Sequence, residues 1–161
     1  MQQGIEIARA DACDIDRWMA LVAQVKDAFP GLETPEAMAE HRATVLSFMN
    51  RQGAICAKMD KIIIGALLFS REDGMLCFLA VDAEYRRRHI AEGLVREMLA
   101  HMDADRDVTV TTYREGVPEG RAARAFYRRM GFSEGRLTVE FGSPVQEFVL
   151  LRSKGAQNDQ C

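Results

Sequence analysis

From residue 54 onward, the apolar residues of this chain no longer recur at helical intervals and instead form short continuous runs. Three such runs follow one another, AICAKM, IIIGALLF and MLCFLAV, separated by the turn-forming sequences DK and REDG. Short apolar runs bounded by turn residues are typical of β-strands. The pattern therefore predicts three consecutive antiparallel strands in a meander, and the fold must contain a sheet built around them.

The region before residue 54 has helical periodicity instead. Residues 4–9 are predicted as a first strand, and apolar residues at three- and four-residue steps then predict a helix. These residues are Ile15, Trp18, Val22, Val25 and Phe29. The sequence FPG breaks that helix, and Thr34 followed by Pro35 predicts the start of a second one. Trp18 and His41 lie on the apolar faces of these two helices and are expected to pack in the core.

The sequence after residue 81 alternates helical and strand patterns. Ile90, Leu94, Met98 and Met102 predict a third helix that ends near residue 103. Residues 107–113 are predicted as a strand, 120–130 as a short helix closed by Gly131, and 132–141 and 145–151 as two more strands. The predicted order is β-α-α-β-β-β-α-β-α-β-β. We expect a single domain of residues 1–152, with the polar segment 153–161 as a disordered tail.

Length and composition favour one enzyme-sized domain. A chain of 161 residues buries about two-thirds of its unfolded surface in one core. Its 48% hydrophobic and 28% charged residues are ordinary for globular proteins, and its mean hydropathy is -0.16. Neither a secretion signal nor an uninterrupted apolar stretch of about 18 residues is evident. We therefore expect a cytoplasmic location and no membrane partner.

The spacing of cysteine and histidine gives no sign of a metal site. Cys13, Cys56, Cys77 and Cys161 are scattered along the chain and are interpreted as reduced thiols. Zinc requires closely spaced thiol and imidazole ligands, whereas the three histidines are isolated from the cysteines. We therefore expect no metal.

Positive charge is concentrated in two places although the net charge is -3. Seven of the 21 Lys and Arg residues fall in segments 85–91 and 121–130. The net charge opposes broad nucleic-acid binding, so we expect no nucleic-acid partner. The two basic segments indicate that the chain binds an anion locally, although a solvated cationic face would give the same pattern.

The first basic segment has the features of a phosphate site. In residues 81–95 a strand ends, three arginines follow, and a helix begins at once. The start of a helix offers unpaired N–H groups and a partial positive charge, which together hold a pyrophosphate. Ala91 and Gly93 are small enough to let an anion approach the main chain.

Residues 81–91 resemble the donor motif of the GNAT N-acetyltransferase superfamily. Val81, Tyr85, Arg86, Arg88, Ile90 and Ala91 match that motif. The departures are Ala83 for proline and Arg87 and His89 for glycines. A histidine can donate its backbone N–H to phosphate there provided that its φ is helical.

Residues 108–132 are similar to a second GNAT segment, the fifth strand and fourth helix. Tyr127, Gly131 and Phe132 match its Tyr-x-x-x-Gly-Phe ending, and Arg129 occupies a commonly basic position. Gly120 stands where the family often has asparagine. Two motifs in the right order and separation strengthen the resemblance, which covers residues 54–151 in element order.

The resemblance implies a fold, a donor and an acceptor. The fold is an α/β (α+β) architecture, a mixed and mostly antiparallel seven-stranded sheet flanked by about four helices. The donor is acetyl-CoA as cosubstrate, and the acceptor is a small-molecule or peptide amine. Either a monomer or a homodimer is compatible with it. The implied cofactor-binding residues are Leu79, Ala80, Val81, Arg86, Arg87, Arg88, His89, Ile90, Ala91, Glu92, Arg124, Tyr127 and Arg129.

The resemblance also implies a catalytic arrangement. The fourth strand kinks away from the fifth, pantetheine occupies the opening, and a main-chain N–H near Ala80 polarises the thioester. Tyr127 is the implied general acid, because a phenol with a pKa near 10 is protonated at neutral pH. The base stays open among Cys77, Glu33, Glu72, Asp73, Glu115 and water. A noncatalytic acyl-CoA sensor is the alternative function, since fold alone does not fix activity.

Overall fold

The computed structural model of the protein describes residues 4–29 and 31–152, which contain seven strands and four α-helices. The strands are β1 (Ile5–Arg9), β2 (Ala54–Met59), β3 (Ile62–Ser70), β4 (Met75–Val81), β5 (Val108–Tyr113), β6 (Ser133–Glu140) and β7 (Ser143–Leu150). The helices are α1 (Ile15–Val25), α2 (Pro35–Asn50), α3 (Ile90–Ala100) and α4 (Arg121–Arg129). The predicted order of elements is confirmed. The predicted tail lies outside the described residues.

The sheet has the strand order β1-β2-β3-β4-β5-β7-β6. All neighbouring strands are antiparallel except β4 and β5. The meander predicted from the three apolar runs is β2-β3-β4. The predicted fold class, a mixed and mostly antiparallel sheet with about four helices, is confirmed.

Two helix boundaries differ from the prediction. The apolar stripe predicted that α1 continues to Phe29, but the α-helix ends at Val25 and a 3-10 turn, Lys26–Ala28, follows. The third helix ends at Ala100 rather than near residue 103. The second helix begins as predicted, because the Thr34 side chain accepts a hydrogen bond from the Ala37 N–H at 3.0 Å and Pro35 lies in the first turn.

Helices cover both faces of the sheet, so β2 and β3 are buried on both sides. One core lies under α3 and α4 and includes Leu67, Leu94 and Phe148. The other lies under α1 and α2 and includes Trp18, as predicted. His41 of α2 contacts Phe78 of β4, with 5.2 Å between ring centroids. Two-sided burial explains why these strands are apolar throughout rather than alternating.

Close contact between α3 and the sheet depends on Gly65 of β3. A Cβ atom on Gly65 would lie 3.0 Å from side-chain atoms of both Ile90 and Leu94.

Every helix in the described ranges is too short or too polar to span a bilayer. Within the same residues, no three His, Cys, Asp or Glu side chains group closely enough to hold a metal ion.

Candidate functional site

A cleft opens in the middle of the sheet, between β4 and β5. The two strands pair only near their starts, at Met75 and Thr109, and then diverge. The register between β3 and β4 shifts because Leu68 is opposite Phe78 while Phe69 is opposite Leu76, which makes Cys77 a bulge. Bulges bend a strand and increase its twist. The predicted kink of the fourth strand is therefore present, and its cause is the extra residue Cys77.

The main-chain groups that β4 presents to the cleft follow from its pairing with β3. Asp82 donates its N–H to the Ile64 carbonyl at 2.8 Å. Hydrogen bonding alternates along an antiparallel pair, so Ala80, two residues earlier, also faces β3. Leu79 and Val81 therefore direct their N–H and C=O groups into the cleft. The N–H of Ala80 itself faces β3, so the polarising N–H that is predicted near Ala80 stays a prediction for Leu79 or Val81.

The opposite wall of the cleft is formed by β5. Thr109 donates its N–H to the Gly74 carbonyl at 2.9 Å, so the main chain of Thr109 faces β4. By the same alternation, Thr111 and Tyr113 face the cleft. The Tyr113 hydroxyl donates to the Ala28 carbonyl at 3.1 Å and so connects β5 to the chain after α1. The sequence analysis did not place Thr111 and Tyr113 in the site, because their position in the cleft wall follows from strand pairing and has no signal in the sequence.

The start of α3 lies directly after β4 and is open at its N-terminus. The first helical hydrogen bond runs from the Gly93 N–H to the His89 carbonyl at 3.0 Å. His89 occupies the N-cap position, and its side chain makes no capping hydrogen bond. The main-chain N–H groups of the first turn are therefore left for an external acceptor such as phosphate.

The backbone before α3 is left-handed at the two positions where the resembled motif has glycine. Arg87 has φ 66° and His89 has φ 61°. His89 therefore does not have the right-handed helical φ that was expected if its N–H binds phosphate. Left-handed backbone is strained for residues with a Cβ atom and accumulates at functional sites.

Side chains at this turn pair with one another. The Arg88 guanidinium lies 5.3 Å from the centre of the Tyr85 ring. Glu92 accepts hydrogen bonds from Arg96 at 2.7 and 3.0 Å and lies 3.3 Å from His89 Nδ1. The bonds from Arg96 and then His89 lower the pKa of Glu92. The negative charge of Glu92 in the first turn of α3 is therefore balanced by the guanidinium of Arg96.

The prediction that Gly93 provides room for an anion is wrong. A Cβ atom on Gly93 would lie 2.5 Å from Ile7 Cδ1, so the glycine faces β1 and lets α3 pack against it. Ala91 is the small residue that remains in the first turn.

Tyr127 is buried on the same side of the sheet as α3. Its ring packs among Phe126, Phe132 and Phe148, with centroids 5.4, 5.5 and 6.1 Å away. Within the described residues, no group hydrogen-bonds to its hydroxyl. Burial raises the pKa of Tyr127 above its usual value near 10. The Tyr127 phenol is therefore protonated at neutral pH.

The two arginines implied as phosphate contacts on α4 differ sharply. Arg124 is buried and donates to the Tyr113 carbonyl at 2.9 Å, to Gln146 Oε1 at 2.8 Å and to Glu134 Oε2 at 2.5 Å. Its guanidinium is therefore occupied within the protein and serves to join α4 to β5, β6 and β7. Arg129 is exposed, and its guanidinium lies 5.9 Å from the Phe126 ring centre. Of these two arginines, only Arg129 has a guanidinium that is available to bind an anion.

The structure narrows the candidates for a base. Desolvation and then the nearby Asp73 carboxylate raise the pKa of Cys77 to about 11, so this group remains a thiol at neutral pH. Both Glu33 carboxylate oxygens accept from the Gly31 N–H, at 3.1 and 3.2 Å, which closes the turn before α2. Asp73 accepts from Ser70 Oγ at 2.9 Å. A thiol that stays protonated cannot accept a proton from the amine, and the Glu33 and Asp73 carboxylates are both engaged in local hydrogen bonds.

The sequence profile described as the Acetyltransferase (GNAT) family matches residues 18–132. The chain therefore belongs to the GNAT family and is an acetyltransferase of that family. No curated protein shows significant similarity to it.

Solved structures with low sequence identity share the fold. A GNAT-family acetyltransferase from Bacillus cereus has a TM-score of 0.72 at 17% identity, over 93% of this chain and 99% of that chain. A PaiA N-acetyltransferase from Thermoplasma acidophilum, in complex with coenzyme A, has a TM-score of 0.66 at 16% identity, over 89% and 97% of the chains. A putative GNAT acetyltransferase from Desulfovibrio desulfuricans has a TM-score of 0.69 at 19% identity, over 92% and 99%.

Proposed function

We propose that the protein transfers an acetyl group from acetyl-CoA to a primary amine by direct attack, with Tyr127 as the general acid. The observation that carries the proposal is the adjacency of the β4–β5 cleft and the uncapped start of α3. The cleft can accept an extended chain as an added strand, and an anion site follows it directly. This arrangement matches a ligand that has amides at one end and a pyrophosphate at the other.

The donor half of the site divides into two contacts. The pyrophosphate binds the main chain of residues 86–92, with Arg86, Arg87, Arg88 and Arg129 adding positive charge. The pantetheine amides extend the sheet by pairing with the N–H and C=O groups of Leu79 and Val81. One of these N–H groups also polarises the thioester carbonyl as negative charge develops on its oxygen.

Tyr127 completes the reaction at the leaving group. The neutral amine attacks the thioester carbon, the C–N bond forms, and the C–S bond breaks. The Tyr127 hydroxyl donates a hydrogen bond and then its proton to the departing sulfur, and the phenolate recovers a proton from the acylated nitrogen through solvent. Because burial raises the Tyr127 pKa, the phenol is in its active, protonated form over the neutral range and well into the alkaline range.

The acceptor must be neutral when it attacks. An alkylamine with a pKa near 10.4 is only about one part in two thousand neutral at pH 7. Binding of that minor form, or loss of the proton to water, supplies the nucleophile. We therefore expect kcat/KM to rise with pH below the pKa of the acceptor.

The test is an acceptor screen with acetyl-CoA that reads thiol release, followed by single-turnover kinetics of Tyr127→Phe. We expect kcat to fall by about a hundredfold or more with little change in acetyl-CoA affinity. Phe132→Leu is the control, because it disturbs the same aromatic cluster without removing the hydroxyl. A wild-type chemical rate in Tyr127→Phe would eliminate the acid role, and tight CoA binding without turnover on any amine would favour the acyl-CoA sensor.

A further inference from the structure

The outer edge of the sheet carries an exposed apolar row. Leu137, Val139 and Phe141 alternate along β6 and its turn, and they are 61%, 61% and 88% exposed. Alternate residues of a strand share one face. Strand β6 ends the sheet, and in the described part of the chain it pairs only with β7. Exposed apolar edge strands promote pairing with another chain, and proteins usually protect them.

The free hydrogen-bonding groups of this edge belong to the same residues. Phe141 and Gly142 form the two-residue turn between β6 and β7, with φ of 52° and 77°. Such a turn makes Glu140 and Ser143 a hydrogen-bonded pair. Val139 lies opposite Pro144, which has no N–H to donate. Leu137 and Val139 therefore direct their N–H and C=O groups outward, away from β7.

The charges of β6 are arranged to complement a second copy of the same strand. If a twofold axis passes through Thr138, antiparallel pairing places Arg136 opposite the partner's Glu140, and the reverse. The same register pairs Leu137 with the partner's Val139. An axis at Leu137 would instead place Arg136 opposite the partner's Thr138, and an axis at Val139 would place it opposite the partner's Gly142, so neither axis gives Arg136 an acid. Only the Thr138 register forms two ion pairs and matches the apolar row.

The side chains available for this pairing are consistent with it. The Arg136 side chain is 83% exposed, with its Nε 3.6 Å from Glu147 Oε1. Glu140 accepts from Thr111 Oγ1 at 2.8 Å through one oxygen, which leaves the other for a guanidinium. Thr111 belongs to the wall of the cleft, so Glu140 connects this edge of the sheet to the candidate site across β7.

We propose that the protein forms a twofold symmetric dimer through antiparallel pairing of β6 with the β6 of a second copy, centred on Thr138. The sheet then continues across both molecules, and the interface buries Leu137 and Val139 of each. This inference does not depend on the chemistry assigned to Tyr127. It also predicts that the partner's Arg136 contacts Glu140, whose side chain accepts a hydrogen bond from Thr111 of the cleft wall.

Sedimentation velocity over a wide concentration range tests the dimer. The wild-type chain should sediment as a dimer, and Leu137→Lys with Val139→Lys should yield a folded monomer, with circular dichroism as the check on folding. Arg136→Glu or Glu140→Arg alone should raise the dimer dissociation constant by roughly tenfold, because each variant replaces two symmetric ion pairs with repulsion. The combined Arg136→Glu and Glu140→Arg variant should restore it. A wild-type monomer at every soluble concentration would overturn the proposal.

A cysteine at the axis tests the register itself. Thr138 would face its own copy in a non-hydrogen-bonded pair, where Cα atoms lie about 4.5 Å apart, a separation that a disulfide accepts. Thr138→Cys should therefore form a disulfide-linked dimer on mild oxidation, with the linked peptide identified by mass spectrometry. Arg136→Cys is the matched control and should not link, because its opposite residue is Glu140. Equal linkage at both positions would overturn the Thr138 axis.

Discussion

At the scale of single residues, Arg87 and His89 show what the turn before α3 demands. Both have positive φ, which costs a residue with a Cβ about 1–2 kcal/mol. We expect His89→Gly to be more stable than His89→Ala by about 1 kcal/mol, because both remove the contact with Glu92 but only glycine relieves the strain. Urea unfolding of the pair measures the difference. Equal midpoints would show that the backbone at residue 89 is not held in this conformation.

The conformation of these two residues could not be predicted from their identity. An arginine and a histidine in sequence indicate charge, and the resemblance to a glycine motif indicates only where they stand. The left-handed φ arises because β4 and α3 are both fixed by packing and only a short turn joins them. Tertiary packing therefore overrides the local preference of residues 87 and 89.

Gly120 is a second residue whose role depends on its surroundings. The family often has asparagine there, but a Cβ at Gly120 would lie 2.3 Å from Tyr113 Cβ. We expect Gly120→Ala to lower the free energy of unfolding by about 1–3 kcal/mol through overpacking. Thermal unfolding measures this loss, with the exposed neighbour variant Glu119→Ala as the control. Equal melting temperatures for the two variants would mean that Tyr113 and Gly120 are not in contact.

At the scale of elements, the start of α3 should dominate binding of coenzyme A. Ala91→Glu places a carboxylate in the first turn, where it repels the pyrophosphate yet suits the helix dipole, so the fold should survive. Arg87→Ala removes one exposed charge and should weaken binding by only severalfold. Calorimetric titration should therefore give a much larger loss for Ala91→Glu than for Arg87→Ala.

The matched control for Ala91→Glu is Ala104→Glu, which makes the same charge change at an exposed position beyond the end of α3. It should leave the affinity nearly unchanged. Equal losses for Ala91→Glu and Arg87→Ala would show that the arginine side chains, rather than the main chain, hold the phosphates.

The elements themselves were largely predictable, whereas the cleft between them was not. Runs such as AICAKM and MLCFLAV are apolar because both faces of the sheet are covered, and that burial makes them easy to recognise as strands. The bulge at Cys77 has no signature within an apolar run. The direction of the Leu79 and Val81 main chain depends on pairing with β3, which a single sequence does not specify. The contact of Gly93 with Ile7 likewise depends on how α3 packs on β1, so the sequence alone predicts a role in anion binding for this glycine instead.

At the scale of the whole molecule, the sheet is interrupted where β4 and β5 separate, and the two halves meet at one residue pair. A ligand that pairs with β4 in this cleft and binds the start of α3 would connect the halves. Such a ligand binds the native state but not the unfolded chain, because neither the cleft nor the helix start exists there. Binding should therefore stabilise the entire domain rather than one loop.

Coenzyme A at about 100 times its dissociation constant should add about 2.7 kcal/mol to the free energy of unfolding. For a domain of this size, that corresponds to a rise in melting temperature of roughly 5–10 °C. Pantetheine tests the cleft alone and adenosine 3′,5′-bisphosphate tests the nucleotide end alone. At equal concentration, each should raise the melting temperature less than coenzyme A does, and Ala91→Glu should abolish most of the rise. If ATP stabilised the protein as much as coenzyme A, the arginines would be a general anion site, and the cleft would have no part in binding the donor.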